Sequence, residues 1–87
     1  MAIVIVSHNV KDFATWKPYF DGDSTRRTNA GVKQIAVGTK SDDPHKVFMI
    51  LEGDPKNFEA MMNDPVLEKT MKEAGVVSKP EVVVINN

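Results

Sequence analysis

Three short segments of this chain are apolar on both sides of a strand, and that property constrains the fold more than any other. They are "AIVIVS" at residues 2–7, "KVFMILEG" at 46–53 and "EVVVI" at 81–85. Side chains alternate between faces along a strand, so a sheet with one solvated face alternates apolar and polar residues. Here the first segment gives Ile3 and Ile5 to one face and Val4 and Val6 to the other. The second separates Val47, Met49 and Leu51 from Phe48 and Ile50, and the third separates Val82 and Val84 from Val83 and Ile85. Both sheet faces therefore call for burial, because a contiguous apolar face left in water is an association surface. A chain of 87 residues is near the size at which one core is limited and a second subunit adds burial. The expectation is a single domain, residues 1–87, that forms a homodimer through the sheet face its own helices leave open. The plainer alternative is that these are simply apolar central strands with strong β propensity.

The segments between the strands alternate with them. Asp12 offers an N-cap oxygen to a helix that carries Phe13, Trp16 and Phe20 on one side. Pro18 removes the amide that would bond the Ala14 carbonyl, so a kink or restart is expected near Tyr19, with Gly22 loosening the helix again. Gly31 suits a helix terminus, "VKQIAVGTK" reads as a strand, and "SDDPH" as a polar loop. Asp54-Pro55 and Asp64-Pro65 each place a capping carboxylate before a proline at the first helical position, which predicts two short helices instead of one rod. Gly75 and Pro80 end the second. The order βαββαβ is the ferredoxin-like α+β plan, a four-stranded antiparallel sheet with its helices on one face.

Composition removes several functions. A net charge of -1 gives no reason to expect nucleic acid or an anionic membrane as partner. The absence of cysteine excludes disulfides, thiolate metal sites, iron–sulfur clusters and cysteine nucleophiles. "MAIVIVSHN" lacks a basic start and is too short an apolar run for a signal or a span, so a cytoplasmic location is expected. No phosphate-binding glycine loop is present, and the two histidines have no partner at metal-ligand spacing, so neither cofactor nor metal is expected.

Four side chains or pairs remain as site candidates. His8, just past the first strand and before the first helix, is placed to act as general base or orienting donor at a pocket mouth, or else as a strand-end residue bonded to nearby backbone. Trp16 and Phe20 form a wall or only a core stripe, and Met49, Met61, Met62 and Met71 can surround the same space. Arg26 or Arg27 is a candidate clamp for a carboxylate or phosphate, against the alternative of a solvated helix face. Which arginine takes that part is not readable.

The run "HNVKDFATWKPYFD" from His8 to Asp21, followed by Arg27, "AGV" and "EAGVVSKPEV", resembles the small dimeric α+β barrel proteins, in particular cyclase-like and antibiotic-monooxygenase-like members. The resemblance spans nearly the whole chain. It implies a ferredoxin-like protomer, two sheets packed into a shared barrel, and a cavity between sheet and helices; relatives include cofactor-free oxygenases, haem-degrading enzymes and lactone isomerases. The positions that match are His8, Asp12, Phe13, Trp16 and Phe20, of which Asp12 is assigned to helix capping. Pro18 and Gly22 depart from the alanine-rich helix of such relatives. The expectation is a dimer whose pocket binds or transforms a small organic, aromatic molecule in the manner of a cofactor-free monooxygenase. Its rival is a non-catalytic dimeric scaffold or ligand-binding module.

Overall fold

In the computed structural model, which describes residues 2–86, the chain runs β1 (Ala2–Asn9), α1 (Phe13–Gly22), α2 (Ser24–Asn29), β2 (Lys33–Lys40), β3 (Asp43–Gly53), α3 (Pro55–Met62), α4 (Pro65–Glu73) and β4 (Glu81–Asn86). The strands form one sheet in the order β2-β3-β1-β4, with β1 antiparallel to both β3 and β4 and β2 antiparallel to β3. This is the ferredoxin-like α+β architecture.

Register sorts the two-faced strands. Val4 lies opposite Leu51 and Val84, and Val6 opposite Met49 and Val82. Val4, Val6, Val47, Met49 and Leu51 are buried, and they form one core with Trp16, Phe20, Phe58, Met61 and Leu67 from the helices. The opposite face carries Ile5 between Ile50 and Val83, and Ile3 beside Ile85. There Val83 is 55% and Ile85 46% exposed, and Phe48 is also exposed.

Local signals account for the helix ends. Asp54 Oδ1 accepts the Lys56 amide at 2.8 Å and Asp64 Oδ1 the Val66 amide at 2.9 Å, each with proline in the first turn. Asp12 caps α1 through the Thr15 amide and hydroxyl, at 3.2 and 2.7 Å. Gly31 and Gly75 follow α2 and α4 with φ of 70° and 89°, values that favour glycine.

Three expectations are corrected. α1 continues through Pro18 to Gly22 and breaks at Asp23, not near Tyr19. Both Pro18 and Ala14 are on the exposed side of the helix, so water can satisfy the carbonyl that proline leaves without its bond. "SDDPH" is not a loop: the chain turns at Ser41-Asp42 and β3 begins at Asp43. Pro44 fits there because β1 pairs with β3 only as far as Lys46, and the β2 register shifts between Thr39 and Lys40. Finally, β1 extends to Asn9 and includes His8.

Candidate ligand site between the sheet and the helices

The extra length of β1 decides where His8 points. Period two puts His8 on the same side as Val4 and Val6, under the helices, opposite Val47. It is 2% exposed. Its ring meets Trp16 edge-on, with centroids 5.5 Å apart and planes at 74°. Instead of standing at a loop mouth near helix amides, the imidazole lies within the sheet–helix layer. Its Nδ1 is buried with no hydrogen-bond partner, an uncommon state for a polar atom in a folded protein. Burial lowers the His8 pKa from its ordinary value; proximity to its own main chain opposes that shift, and the Lys46 charge adds to it. The ring is therefore neutral at pH 7, with one nitrogen able to donate and one to accept.

From His8 an aromatic column runs along α1. Trp16 stacks on Phe20 at 5.0 Å and 27°, and the Arg27 guanidinium carbon lies 3.8 Å above the Phe20 ring centroid. Phe13 tilts against Trp16 at 5.7 Å from the other side. The helix breaks at Asp23, and Arg27 of α2 lies over Phe20 of α1. Arg27 is buried and donates from Nη1 to the Phe20 carbonyl at 2.9 Å. Burial pulls its pKa down, partly offset by Asp23 and Asp21, and it remains a cation at neutral pH.

Arg26 is engaged elsewhere. Its Nε reaches both Asp23 carboxylate oxygens at 3.1 Å, and its Nη1 reaches Asp64 Oδ2 at 2.6 Å. Since Asp64 also caps α4, this arginine ties α2 to the start of α4. It is not among the cavity-lining residues; its guanidinium is paired with Asp23 and Asp64.

A cavity of about 70 Å³ lies between the sheet and the helices. His8, Trp16, Phe20 and Arg27 border it, as do Met49, Met61, Met62 and Met71. Phe58, Leu67, Tyr19, Asp23 and Thr70 also line it, and the sequence alone did not mark them as site residues. Phe58 and Leu67 were findable from the apolar stripes of their helices. Asp23 was visible only as an i, i+4 partner of Arg27, and Thr70 gave no signal: its hydroxyl donates to the Val66 carbonyl at 2.9 Å. The arrangement offers an apolar slot, a neutral imidazole at one point and a guanidinium at another. That combination suits a flat molecule with an acidic oxygen.

Residues 2–83 match the family model described as "Domain of unknown function (DUF3764)". No curated protein matches the chain. Solved structures with the same fold include an antibiotic biosynthesis monooxygenase, 16% identical over 100% of this chain and 98% of that one, with a TM-score of 0.68. They also include an uncharacterised NIPSNAP domain protein from Burkholderia xenovorans, 10% identical over 100% and 94%, TM-score 0.70. A NIPSNAP family protein of unknown function from Agrobacterium tumefaciens is 10% identical over 98% and 86%, TM-score 0.68. Identities this low establish a shared fold and leave the chemistry to the site.

Proposed function

The chain belongs to the DUF3764 family, a domain of unknown function, and we propose that it is a small homodimeric protein whose cavity binds or transforms a small aromatic molecule. The observation that carries this reading is the buried His8 Nδ1 without a partner, on a residue that borders an apolar cavity with Arg27. A ligand oxygen hydrogen-bonded to Nδ1 removes the cost of leaving that nitrogen unsatisfied, roughly 1–3 kcal/mol. Trp16 and Phe20 hold the ring, and Arg27 neutralises an acidic substituent. The homodimer follows from the open sheet face of Ile3, Ile5, Ile50, Val83 and Ile85, which a second sheet would cover.

The most specific version is cofactor-free oxygenation; one structural relative is named an antibiotic biosynthesis monooxygenase. With the His8 proton on Nε2, Nδ1 takes the proton of a phenolic hydroxyl, and Arg27 stabilises the phenolate. Dioxygen is the co-reactant: one oxygen atom enters the ring, the other leaves as water, and the four electrons come from oxidation of the phenol to a quinone. A non-catalytic binding module is the second reading. It is favoured by the size of the cavity, about 70 Å³, roughly half of the ~150 Å³ apolar cavity that takes benzene. A ring enters only if the methionines move.

The test is a Trp16 fluorescence titration with phenol, 4-hydroxybenzoate and benzoquinone, alongside oxygen uptake. Saturable quenching is expected, with 4-hydroxybenzoate binding weakened at least tenfold by Arg27→Gln. Oxygen uptake lost in His8→Gln while quenching persists identifies an enzyme, and quenching with no uptake in the wild type identifies a binding module. If none of these molecules changes Trp16 emission, the reading is wrong.

A further inference from the structure

Strand β4 is bare on its helix-facing side as well as on the open one. Val82 and Val84 share that side with Val6 and Val4, yet they are 42% and 44% exposed because the helices stop short of this edge. Beside them is a groove of about 630 Å³ whose apolar wall includes Met62, Met71, Val76, Val77 and Val82. Lys72, Lys79 and Glu68 also border it, with Lys72 lying 3.7 Å from Glu68. Met62 and Met71 belong to both spaces: they border the cavity at His8 and the groove at β4.

We infer that cavity and groove are one elongated site, made for a ligand with a compact phenolic head and an unbranched apolar chain that passes between Met62 and Met71 along β4. The inference rests on the head-group reading given above. Three observations lead to the chain. The cavity, at about 70 Å³, is smaller than a phenolic ring needs, so an occupant must displace its walls and extend beyond it. The two side chains that border both spaces are methionines, whose three rotatable bonds let them move without disturbing the backbone. The groove floor is apolar and lies on the side of the sheet opposite Ile5 and Ile50, so a dimer formed through those residues leaves it unoccupied.

The experiment compares phenol, 4-butylphenol and 4-octylphenol by calorimetric titration against the wild-type protein and Val77→Asp. Val77 is 56% exposed, and its hydrogen bond from the amide to the Asn9 carbonyl at 2.9 Å does not involve the side chain. Each methylene taken out of water contributes about 0.8 kcal/mol, or roughly fourfold in affinity. Affinity is expected to climb with chain length in the wild type. Val77→Asp should weaken 4-octylphenol at least tenfold and leave phenol within twofold. Val82→Thr, which keeps the strand and its shape, should shift 4-octylphenol in the same direction by a smaller factor. Phenol binding with no gain from the chain overturns the elongated site and leaves the head-group reading intact. A chain-length gain that both variants leave untouched overturns it too. So does a fall in sedimentation mass for Val77→Asp, which assigns the groove to a second copy of the protein. If no member of the series binds, both readings fall together.

Discussion

The two faces of this sheet are built from the same residue types and meet opposite fates. Under the helices, Val4, Val6, Val47 and Leu51 are packed almost out of contact with water, yet one polar atom among them, His8 Nδ1, has no partner. On the other side Ile3, Ile5 and Ile50 are half-buried and Val83 is exposed; among the described residues His8 Nδ1 is the one buried side-chain polar atom without a partner. One face lacks a hydrogen bond and the other lacks a cover. A hydrogen bond is directional and can be supplied by one well-placed oxygen, whereas apolar burial scales with area and needs a surface. That difference is what supports the proposal of a ligand on the covered face and a second copy on the open one.

Placing a charge on each face separates them most strongly. Val4→Asp puts a carboxylate into a dry core and should unfold the protein, at a cost of several kcal/mol. Ile5→Asp, one residue away on the other face, should leave a folded protomer and convert the proposed dimer to a monomer. Circular dichroism with sedimentation distinguishes these outcomes, and an unchanged dimer in Ile5→Asp contradicts the assignment of the open face. Next in size is Trp16→Ala, which removes the centre of the aromatic column and should lower stability by about 3–5 kcal/mol in chemical denaturation. A loss below about 1 kcal/mol would mean that the helices pack on the sheet without it.

Acid should act through the covered face. The His8 pKa is lowered in the folded protein, chiefly by burial, so below about 6.5 the unfolded chain binds the proton more readily. Stability is thus full above that pH and declines as pH falls through the interval down to the folded-state value. After burial, the Lys46 charge is what further opposes protonation of His8, while the residue's own main chain favours it. In thermal melts between pH 7.5 and 5, His8→Gln should remove this part of the decline, and an identical slope in the variant would show that His8 does not contribute. The smallest effect is expected at Pro18→Ala on the exposed side of α1, within about 1 kcal/mol and toward greater stability. A larger loss would make the proline a determinant of where α1 ends.

Sequence was a good guide wherever the cause was local. The two-faced strands, the Asp-Pro helix starts and the glycines after α2 and α4 could be read because alternation, capping and positive φ each depend on a few neighbouring residues. It was a poor guide where the cause was distant. β1 reaches His8 and Asn9 because Asn9 is held by Ser78 Oγ at 2.8 Å and by the Val77 amide at 2.9 Å, contacts made with the far end of the chain. The choice between Arg26 and Arg27 turned on Asp64, 38 positions from Arg26. Pro18 misled because the missing bond faces water, a fact of orientation that spacing alone does not give.

The claim at the centre of this account is that His8 Nδ1 is held ready for a ligand oxygen. Nitrogen-15 NMR of the imidazole, recorded without ligand and at saturation with 4-hydroxybenzoate near pH 7.5, tests it most directly. The account predicts a neutral ring with an unbonded Nδ1 in the free protein. On binding, the Nδ1 resonance should move to a hydrogen-bonded position while Nε2 changes little. An Nδ1 already hydrogen-bonded in the free protein, or one unmoved when Trp16 fluorescence shows the site to be full, would contradict it.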